Sequence, residues 1–210
     1  MIKIENIEVF GWEAAIRGAR NPMNSWDRMD SGYNNGDFFI GENDLKMLRG
    51  LCIAGTDHRK WMRMVNVTMD ITAPLYWWKE FDTYKVGTVA NSCSTMHKIQ
   101  AKEFELDDFS HEHLTCLSLQ ILDDTVRVLN HYRDEFNETK DKEYWWQMIQ
   151  LLPSSFNQKR TVQLNYEVLN TMYRARQNHK LDEWRQFCNT LQSMPYNVFI
   201  TGEFNAIGGC

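Results

Sequence analysis

Residues 151–187 read LLPSSFNQKRTVQLNYEVLNTMYRARQNHKLDEWRQF, and they lie in a part of the chain with a repeated helical pattern. Apolar side chains recur at helical spacing over Val162–Arg176 and again over Leu181–Gln192. A third helical pattern, Lys142–Leu151, ends where the quoted stretch begins. The sequence therefore predicts successive helices towards the end of the chain.

Strands are predicted upstream of these helices. The segment IKIENIEVF, residues 2–10, alternates enough to form an opening strand, and WEAAIRGARN after it has the composition of a helix that ends near Asn21-Pro22. In WMRMVNVTMDIT, residues 61–72, apolar and polar side chains alternate, which predicts a central strand. A few strands combined with many helices indicate an α+β fold.

A loop and a helix lie between the opening helix and the central strand. Residues 22–41 are rich in Asn, Asp, Gly and Ser, so we predict a long surface loop that does not pack. A loop of this length often serves a binding site, although no motif assigns it a role. Residues 42–54 then have a helical pattern.

The apolar residues predict a large core. The longest helical pattern runs from about His113 to Asn137 and carries a broad apolar stripe, which is typical of a core helix. Pro74 can begin a short helix through LYWWKEF, because its missing N–H costs nothing in the first turn. Eight Trp include the pairs Trp77-Trp78 and Trp145-Trp146, which we place in the core rather than on a stacking surface.

Length and composition predict one soluble domain over residues 1–210. Hydrophobic residues make up 43% and charged residues 24%, which excludes a disordered chain. The sequence has no run of 18 or more apolar residues and no basic, apolar leader near its start. We therefore expect neither secretion nor a membrane span.

Charge and cysteine content argue against duplex nucleic-acid binding and against a disulfide-rich or zinc-binding protein. A net charge of -5 argues against broad binding to duplex nucleic acid, but it leaves room for one small anionic ligand. The five cysteines are odd in number and lack CxxC spacing, so neither a disulfide framework nor a zinc knuckle is expected. Free thiols predict the reducing cytoplasm.

The functional site is predicted in DTYKVGTVANSCSTMH, residues 82–97. This stretch is small, polar and glycine-containing, which is typical of a loop that brings its backbone close to a ligand. Cys93 and His97 lie four residues apart and could form a nucleophilic thiolate if the stretch turned helical. A buried structural cysteine is the more frequent role.

Two polar clusters have alternative interpretations. DHRKWMR, residues 57–63, could contact phosphates or a flavin, or form a solvated charged turn. DDFSHEHL, residues 107–114, contains metal-ligand types without a third ligand at a defined spacing, and we favour Ser110 as a helix N-cap with acidic groups near the positive helix end. We assign no metal site. The chain also lacks phosphate-loop, dinucleotide-binding, hydrolase-elbow and metalloprotease motifs.

In order and spacing, residues 151–187 resemble the C-terminal half of the flavin-dependent thymidylate synthases. That family has a Leu-Pro, then a Thr, then an Asn that opens a helix ending in Leu-Arg. The matching residues of this chain are Leu152-Pro153, Thr161, Asn165, Leu169 and Arg176. Residues 55–97 are also similar in length and polarity to the family's stretch from Gly-His-x-Ser-x-x-Glu-His to its signature loop, with Gly55 and Ser92 in register.

The resemblance implies an α+β fold in which an antiparallel sheet packs with several helices, but the signature RHRxxSxNExSxRY is reduced to DTYKVGTVANSCST. Only Ser92 is retained. Asp82, Thr83 and Tyr84 stand where the family has the Arg-His-Arg that holds the flavin. Loss of these cations weakens binding of an anionic cofactor unless Lys85, His58 or Arg59 replaces them.

The resemblance also implies an activity. The protein would use FAD and methylenetetrahydrofolate, with NADPH as reductant, to methylate or otherwise modify a pyrimidine deoxynucleotide such as dUMP. Arg176 would bind this nucleotide, or would serve only as a cation that offsets the dipole at a helix C-terminus. No catalytic residue is assigned. The implied cofactor-binding residues are His58, Arg59, Lys85 and Asn165, and the implied substrate-binding residues are Ser92, Asn91 and Arg176.

Three classes of function remain open. The protein is a thymidylate synthase with substituted site residues, an enzyme that modifies another pyrimidine nucleotide, or a non-catalytic nucleotide-binding or structural protein that kept the fold. The family is tetrameric, so the resemblance implies a homo-oligomer. In such an assembly Trp77, Trp78 and Tyr84 could be interface or stacking residues instead of core residues.

Overall fold

The computed structural model describes residues 2–204 and has the predicted α+β architecture. Within those residues, four strands form an antiparallel sheet in the order β1-β4-β6-β5, and two short strands, β2 and β3, form a separate hairpin. The strands are β1 (Lys3–Phe10), β2 (Gly32–Asn34), β3 (Asp37–Phe39), β4 (Asn66–Pro74), β5 (Val89–Ser92) and β6 (Asn157–Asn165). The helices are α1 (Trp12–Arg20), α2 (Glu42–Ile53), α3 (Leu75–Phe81), α4 (Thr95–Lys98), α5 (Cys116–Thr139), α6 (Lys142–Leu151), α7 (Tyr166–Arg176), α8 (Asp182–Gln192) and α9 (Val198–Thr201).

Strand β4 is the predicted central strand. Val67, Met69 and Ile71 are fully buried, while the residues between them are partly exposed. This alternation follows from the pleat of a strand, in which successive side chains point to opposite faces. Pro74 ends the strand and occupies the position before α3, with extended backbone angles that proline favours at such a boundary.

Strand β6 was not predicted. The helical pattern was expected to begin at Val162, but the chain remains extended to Asn165, and α7 begins at Tyr166. Val162 and Leu164 are buried two residues apart, which is the period of a strand. The first four residues of the predicted helix therefore belong to the sheet, and that boundary was wrong.

The chain divides into two compact units. Unit 1 contains residues 2–3, 70–83 and 90–161, and unit 2 contains residues 4–69, 84–89 and 162–204. Strands β4 and β6 each contribute residues to both units. Organisation of the whole chain as one domain stays a prediction.

In unit 1, helices α5 and α6 pack against each other. Trp77 and Trp78 are fully buried, which confirms their placement in the core and not on an interface or stacking surface. Trp146 is exposed, so the prediction of a core position is wrong for this residue. Unit 1 has a buried apolar cluster formed by Ile99, Phe104, Phe109, Leu122, Val126, Leu129 and Met148.

Helix α5 is a core helix along one face only. Leu122, Val126 and Leu129 are buried, whereas Leu117 is 70% exposed and Ile121 59% exposed. The broad apolar stripe read from the sequence is wider than the surface that unit 1 covers. The prediction that the whole stripe lies in the core is therefore wrong.

In unit 2, aromatic rings pack around Trp12. Its ring centroid lies 4.9 Å from that of Tyr166 and 5.1 Å from that of Tyr196, both edge to face. Trp61 and Phe199 continue the cluster, with centroids 4.8 Å apart. Edge-to-face contacts of this kind add to the stabilisation that burial alone provides.

Residues 22–41 are ordered into turns and a hairpin, so the prediction of a long unpacked loop is wrong. The β2-β3 hairpin turns at Asn35-Gly36, whose φ angles are 50° and 93°. Positive φ at both central residues is the geometry of a type I′ turn, which favours the Asn-Gly pair. The sequence contained this hairpin signal.

A buried ion pair fastens this segment to α2. Arg20 is 4% exposed and Asp44 is fully buried, and Arg20 Nε donates to Asp44 Oδ1 over 2.6 Å. The other oxygen of Asp44 accepts from the backbone N–H of Asp30, and from both the N–H and the hydroxyl of Ser31. The two oxygens of Asp44 thus connect the end of α1, the 30–31 backbone and the start of α2.

Asp30 reciprocates by capping α2. Its carboxylate accepts from the backbone N–H groups of Asn43 and Asp44, over 2.9 and 3.0 Å. Desolvation opposes ionisation of Asp30, but the backbone hydrogen bonds from Asn43 and Asp44 outweigh it and hold the pKa of this carboxyl below its usual value. The capping carboxylate is therefore charged at neutral pH, next to the positive end of the helix.

Removing Asp44 should destabilise the fold strongly. In Asp44→Ala the guanidinium of Arg20 stays buried without its counter-ion, which costs about 3–5 kcal/mol. The matched control is Asp123→Ala on α5, because Asp123 and Arg127 form a pair that is more than half exposed. Exposed pairs contribute up to about 1 kcal/mol. Urea unfolding followed by circular dichroism measures both, and equal losses would contradict a structural role for the buried pair.

Two glycines of the same region should respond oppositely to alanine. A Cβ on Gly41 would lie 2.2 Å from Asp30 Cγ and 2.4 Å from the Asp30 carbonyl oxygen, so the capping segment must move, at a cost of about 1–3 kcal/mol. A Cβ on Gly50 meets nothing within 4 Å inside α2. Gly50→Ala should therefore stabilise by up to about 1 kcal/mol. The unfolding temperatures of Gly41→Ala and Gly50→Ala test both predictions. A Gly41→Ala protein as stable as the unmodified one would show that the cap formed by Asp30 is not rigid.

Candidate functional site

The predicted site stretch, residues 82–97, contributes its residues 84–89 to unit 2, where they lie along α7. Gly87 has φ 80°, and a Cβ at this position would lie 3.0 Å from Val168 Cγ2 and 3.1 Å from Asn165 Nδ2. Glycine satisfies both the backbone angle and the close approach. The backbone of this stretch is therefore pressed against the start of α7.

Arg176 lies at the other end of α7 and contacts two aromatic residues. Its Nε donates to the hydroxyl of Tyr84 over 3.0 Å. Its guanidinium carbon lies 4.9 Å from the ring centre of Trp184 and 5.6 Å from that of Tyr84. Stacking of a planar cation on aromatic faces fixes its orientation, and an oriented guanidinium suits bidentate recognition of a phosphate or of a base edge.

Arg59 is held by a carboxylate that the sequence did not single out. Arg59 Nη2 donates to Glu167 Oε1 over 2.9 Å, and both side chains are mostly buried. Glu167 is in the first turn of α7, so this pair links the helix to the turn that follows α2. The predicted cofactor-binding cation is neutralised inside unit 2.

Asn165 caps α7 through its side chain, whose oxygen accepts from the backbone N–H of Val168 over 3.1 Å. His58 and Lys85 are exposed. Of the four residues implied for the cofactor, Asn165 and Arg59 thus have structural partners, whereas His58 and Lys85 reach solvent. Their roles towards a flavin stay predictions.

The substrate-binding residues Asn91 and Ser92 are exposed on β5 in unit 1. The strand continues into Cys93, whose N–H donates to the Lys159 carbonyl over 2.9 Å. The side-chain amide of Gln158 donates to the Cys93 carbonyl over 2.8 Å. These bonds fix the end of β5 against β6.

Unit 1 also contains an arginine that sequence reasoning missed. The guanidinium carbon of Arg160 lies 4.2 Å from the ring centre of Trp78, and its Nη1 donates to Asp82 over 2.8 Å. By the resemblance, Asp82 stands where the family has the first arginine of its signature. Arg160 of β6 therefore lies beside the position at which the family has an arginine and this chain has Asp82. The alternating pattern of β6 was the only feature of the sequence that could have indicated Arg160.

The burial of the cysteines differs from the prediction at Cys93. Cys93 is exposed, so its placement as a buried structural residue is wrong. Cys52 and Cys188 are buried, and desolvation raises the pKa of Cys52 to about 12 and that of Cys188 to about 11. For Cys52, the charge of Glu167 also raises the pKa and that of Arg59 lowers it. Cys210 lies outside the described residues.

The polar cluster at residues 107–114, considered above as a possible metal site, makes contacts within the fold. Ser110 is not the N-cap of the long helix, because Thr115 occupies that position. The Ser110 hydroxyl instead donates to Asn157 Oδ1 over 3.0 Å. Across residues 2–204, no group of three or more His, Cys, Asp or Glu side chains could hold a metal ion.

Within residues 2–204, no helix combines the length and the apolar character that a membrane-spanning helix requires.

Comparison with known proteins identifies the fold as that of flavin-dependent thymidylate synthases. Thymidylate Synthase X from Helicobacter pylori, in a crystal structure with FAD and dUMP, matches with a TM-score of 0.67 at 15% identity over 95% of this chain and 96% of that one. A second structure of this enzyme with the same ligands covers 94% and 96%, with the same score and identity. The UMP/dUMP methylase PolB from Streptomyces cacaoi, bound with 5-Br dUMP, matches with a TM-score of 0.60 at 14% identity over 91% and 88%.

These structures confirm the fold that the resemblance implied. Only the comparison of structures relates this chain to known proteins, since no family model and no curated protein matches the sequence.

Alkylation should separate the four described cysteines by burial and pKa. At pH 8, iodoacetamide should modify Cys93 and Cys116, which are exposed, and spare Cys52 and Cys188. Raising the pH to 9.5 should still leave Cys52 unmodified, because its pKa of about 12 keeps the thiolate fraction negligible. Peptide mass spectrometry with and without urea reads the sites, and modification of native Cys52 at the rate of Cys93 would refute this assignment.

Proposed function

We propose that this protein binds a pyrimidine nucleotide at Arg176 and modifies it with a bound flavin, as a divergent counterpart of the flavin-dependent thymidylate synthases. The observation that carries the proposal is the placement of Arg176, which stacks on Trp184 and donates to Tyr84 at the end of α7. Over 95% of its length, the chain has the same fold as an enzyme whose crystal structure contains FAD and dUMP. The same fold occurs in a UMP/dUMP methylase.

Arg176 would supply the contact that orients the nucleotide. Its fork of N–H donors matches a phosphate or the edge of a pyrimidine, and the aromatic rings beside it restrict its rotation. Asn91 and Ser92, which are exposed on β5 in unit 1, keep the substrate-binding roles that the resemblance implies. Binding that fixes the pyrimidine in one orientation is the main contribution of a protein to cofactor-based chemistry.

The residues present fit a flavin, but with other side chains than the Arg-His-Arg of the family. Arg59 is neutralised by Glu167 and does not fit a cofactor phosphate, whereas Lys85 and His58 are exposed and do. Asn165 would contribute its side-chain amide from the start of α7. A bound FAD would supply the redox chemistry, with methylenetetrahydrofolate as carbon donor and NADPH as reductant.

We further propose a homo-oligomer, tetrameric by resemblance, in the cytoplasm. The exposed apolar residues Leu117 and Ile121 on α5 are compatible with further burial in an assembly.

A non-catalytic nucleotide-binding protein is the second candidate. It is favoured by Asp82, a carboxylate at the position of a signature arginine, which forms an ion pair with Arg160. Because this ion pair neutralises both charges, no net positive charge remains there for the cofactor phosphates. The two candidates make different predictions for flavin.

The test is an absorbance spectrum of the purified protein from 300 to 500 nm, with and without added FAD, followed by titration with dUMP. A flavin band that changes on addition of dUMP is expected for the enzyme. Nucleotide binding without flavin binding at any FAD concentration would favour the second candidate, and binding of neither would contradict both.

Arg176→Ala should weaken dUMP binding by about 10- to 100-fold, because a hydrogen bond to a charged group contributes about 1.5–3 kcal/mol. Tyr84→Phe keeps the ring and loses only the hydroxyl, so a smaller loss is expected. The control is Arg127→Ala, an exposed arginine of α5 that should not alter binding. Calorimetric titration gives the affinities, and unchanged affinity in Arg176→Ala would refute the assigned role.

A further inference from the structure

An ion pair in unit 1 holds an arginine in one orientation. The guanidinium carbon of Arg160 lies 4.2 Å from the ring centre of Trp78, and its Nη1 donates to Asp82 Oδ1 over 2.8 Å. Its Nε donates to Gln158 Oε1 over 3.0 Å. The stack and the two hydrogen bonds together fix both the plane of the guanidinium and its rotation within that plane.

Gln158, which accepts from Arg160, is itself held in place. The residue is 8% exposed, and its side-chain amide donates to the Cys93 carbonyl over 2.8 Å. Trp78 is joined to the same strand, because its indole Nε1 donates to the Gln158 carbonyl over 2.9 Å. The surroundings of Arg160 are therefore ordered before any ligand binds, and a preorganised site loses less free energy on binding.

The ion pair leaves one donor and one acceptor unused. Within residues 2–204, neither Nη2 of Arg160 nor Oδ2 of Asp82 forms a hydrogen bond. Arg160 Nη2 is not enclosed by the protein, and the Asp82 side chain is 53% exposed. A ligand can therefore reach both atoms.

The pair favours an uncharged polar ligand. The charges of Arg160 and Asp82 cancel, so the pair has no net charge with which to attract a phosphate. It offers a hydrogen-bond donor and a hydrogen-bond acceptor on two side chains that are bonded to each other. A cyclic amide, which presents a carbonyl oxygen next to a ring N–H, is complementary to this arrangement.

Uracil has such an edge and cytosine does not. Uracil presents a carbonyl oxygen next to a ring N–H, whereas cytosine presents an amino group next to an unprotonated ring nitrogen. In the same orientation, cytosine would set its amino donor against Arg160 and its ring acceptor against Asp82. A site whose polar groups are left unpaired by the wrong ligand rejects that ligand strongly.

The pair lies beside the strand end that carries the implied substrate-binding residues. Ser92 is the last residue of β5, and the N–H of the next residue, Cys93, donates to the Lys159 carbonyl over 2.9 Å. Strands β5 and β6 are thus joined one residue away from both Ser92 and Arg160. The ion pair and the implied substrate residues belong to the same part of unit 1.

We propose that the Arg160–Asp82 pair determines the base specificity of the protein, with Arg160 Nη2 donating to a carbonyl oxygen of uracil and Asp82 Oδ2 accepting from the adjacent ring N–H. This role rests on the proposed function, because it concerns the base of the same nucleotide. It adds a preference for uracil over cytosine, and it assigns to the substrate two residues that the resemblance did not assign to it.

Calorimetric titration of the full-length protein with dUMP and dCMP tests this preference. The unmodified protein should bind dUMP about tenfold or more tightly than dCMP. In Asp82→Asn, the amide can donate to the ring nitrogen of cytosine, so the two affinities should approach each other. The matched control is Asp123→Asn, because Asp123, paired with Arg127, is 54% exposed and should leave the ratio of affinities unchanged.

Arg160→Met removes the donor and should weaken dUMP binding about tenfold, with a smaller effect on dCMP. Deoxyuridine, which lacks the phosphate, separates recognition of the base from recognition of the phosphate. If Arg160→Met abolished the difference between dUMP and deoxyuridine but kept the preference for uracil, Arg160 would bind the phosphate and the proposal would be overturned. Circular dichroism checks folding, and the exposed Asp82→Asn change tests the pair even if Arg160→Met does not fold.

The specificity role and the proposed function fail in different ways. Binding of dUMP and dCMP with equal affinity by the unmodified protein, or an unchanged ratio in Asp82→Asn, would overturn the specificity role and leave nucleotide binding intact. Absence of binding of either nucleotide to the unmodified protein would overturn both.

Discussion

The change from strand to helix at Asn165 is the constraint on which the candidate site depends. Asn165 has extended backbone angles, and its side chain accepts from the Val168 N–H, so β6 ends and α7 begins within one residue. The backbone N–H of Tyr166 donates to the Val65 carbonyl, and the Tyr166 ring is fully buried. These contacts set the axis of α7. Glu167 at its start and Arg176 at its end are then about 14 Å apart along the helix, at about 1.5 Å per residue.

That axis positions the rest of the site in unit 2. Glu167 pairs with Arg59, and Arg176 meets Tyr84 and Trp184. Gly87 lies near Asn165, so residues 84–89 follow the helix from its end to its start. A change at Asn165 would move each of these contacts together, because they all depend on the direction and start of one helix.

The parts of the fold that were predictable are those encoded by local periodicity or by a defined turn. The alternation of β4 and the helical spacing in α5 each lie within one short window of sequence, and both elements were predicted. Asn35-Gly36 encodes its hairpin equally locally, although the surrounding polar residues concealed it. Strand β6 was harder, because Val162 and Leu164 are only two residues at strand spacing directly before a longer helical pattern, and the side-chain cap of Asn165 marks where the helix begins.

The site residues were predictable as positions but not as contacts. Spacing identified Arg176, yet its partner Tyr84 lies 92 residues away, and nothing in the sequence joins the two. The same holds for Arg59 with Glu167 and for Arg160 with Asp82, which are 108 and 78 residues apart. A carboxylate fixes the position of Arg59 and of Arg160 by opposite charge. Aromatic rings restrict the plane of the guanidinium of Arg160, over Trp78, and of Arg176, beside Trp184 and Tyr84. An ion pair determines mainly where a cation lies, while stacking determines which way its donors point. Since recognition of a flat pyrimidine or a phosphate depends on that direction, the stacked Arg160 and Arg176 are better suited to it than Arg59, and of these two only Arg176 stands at a position for which the resemblance implies nucleotide binding.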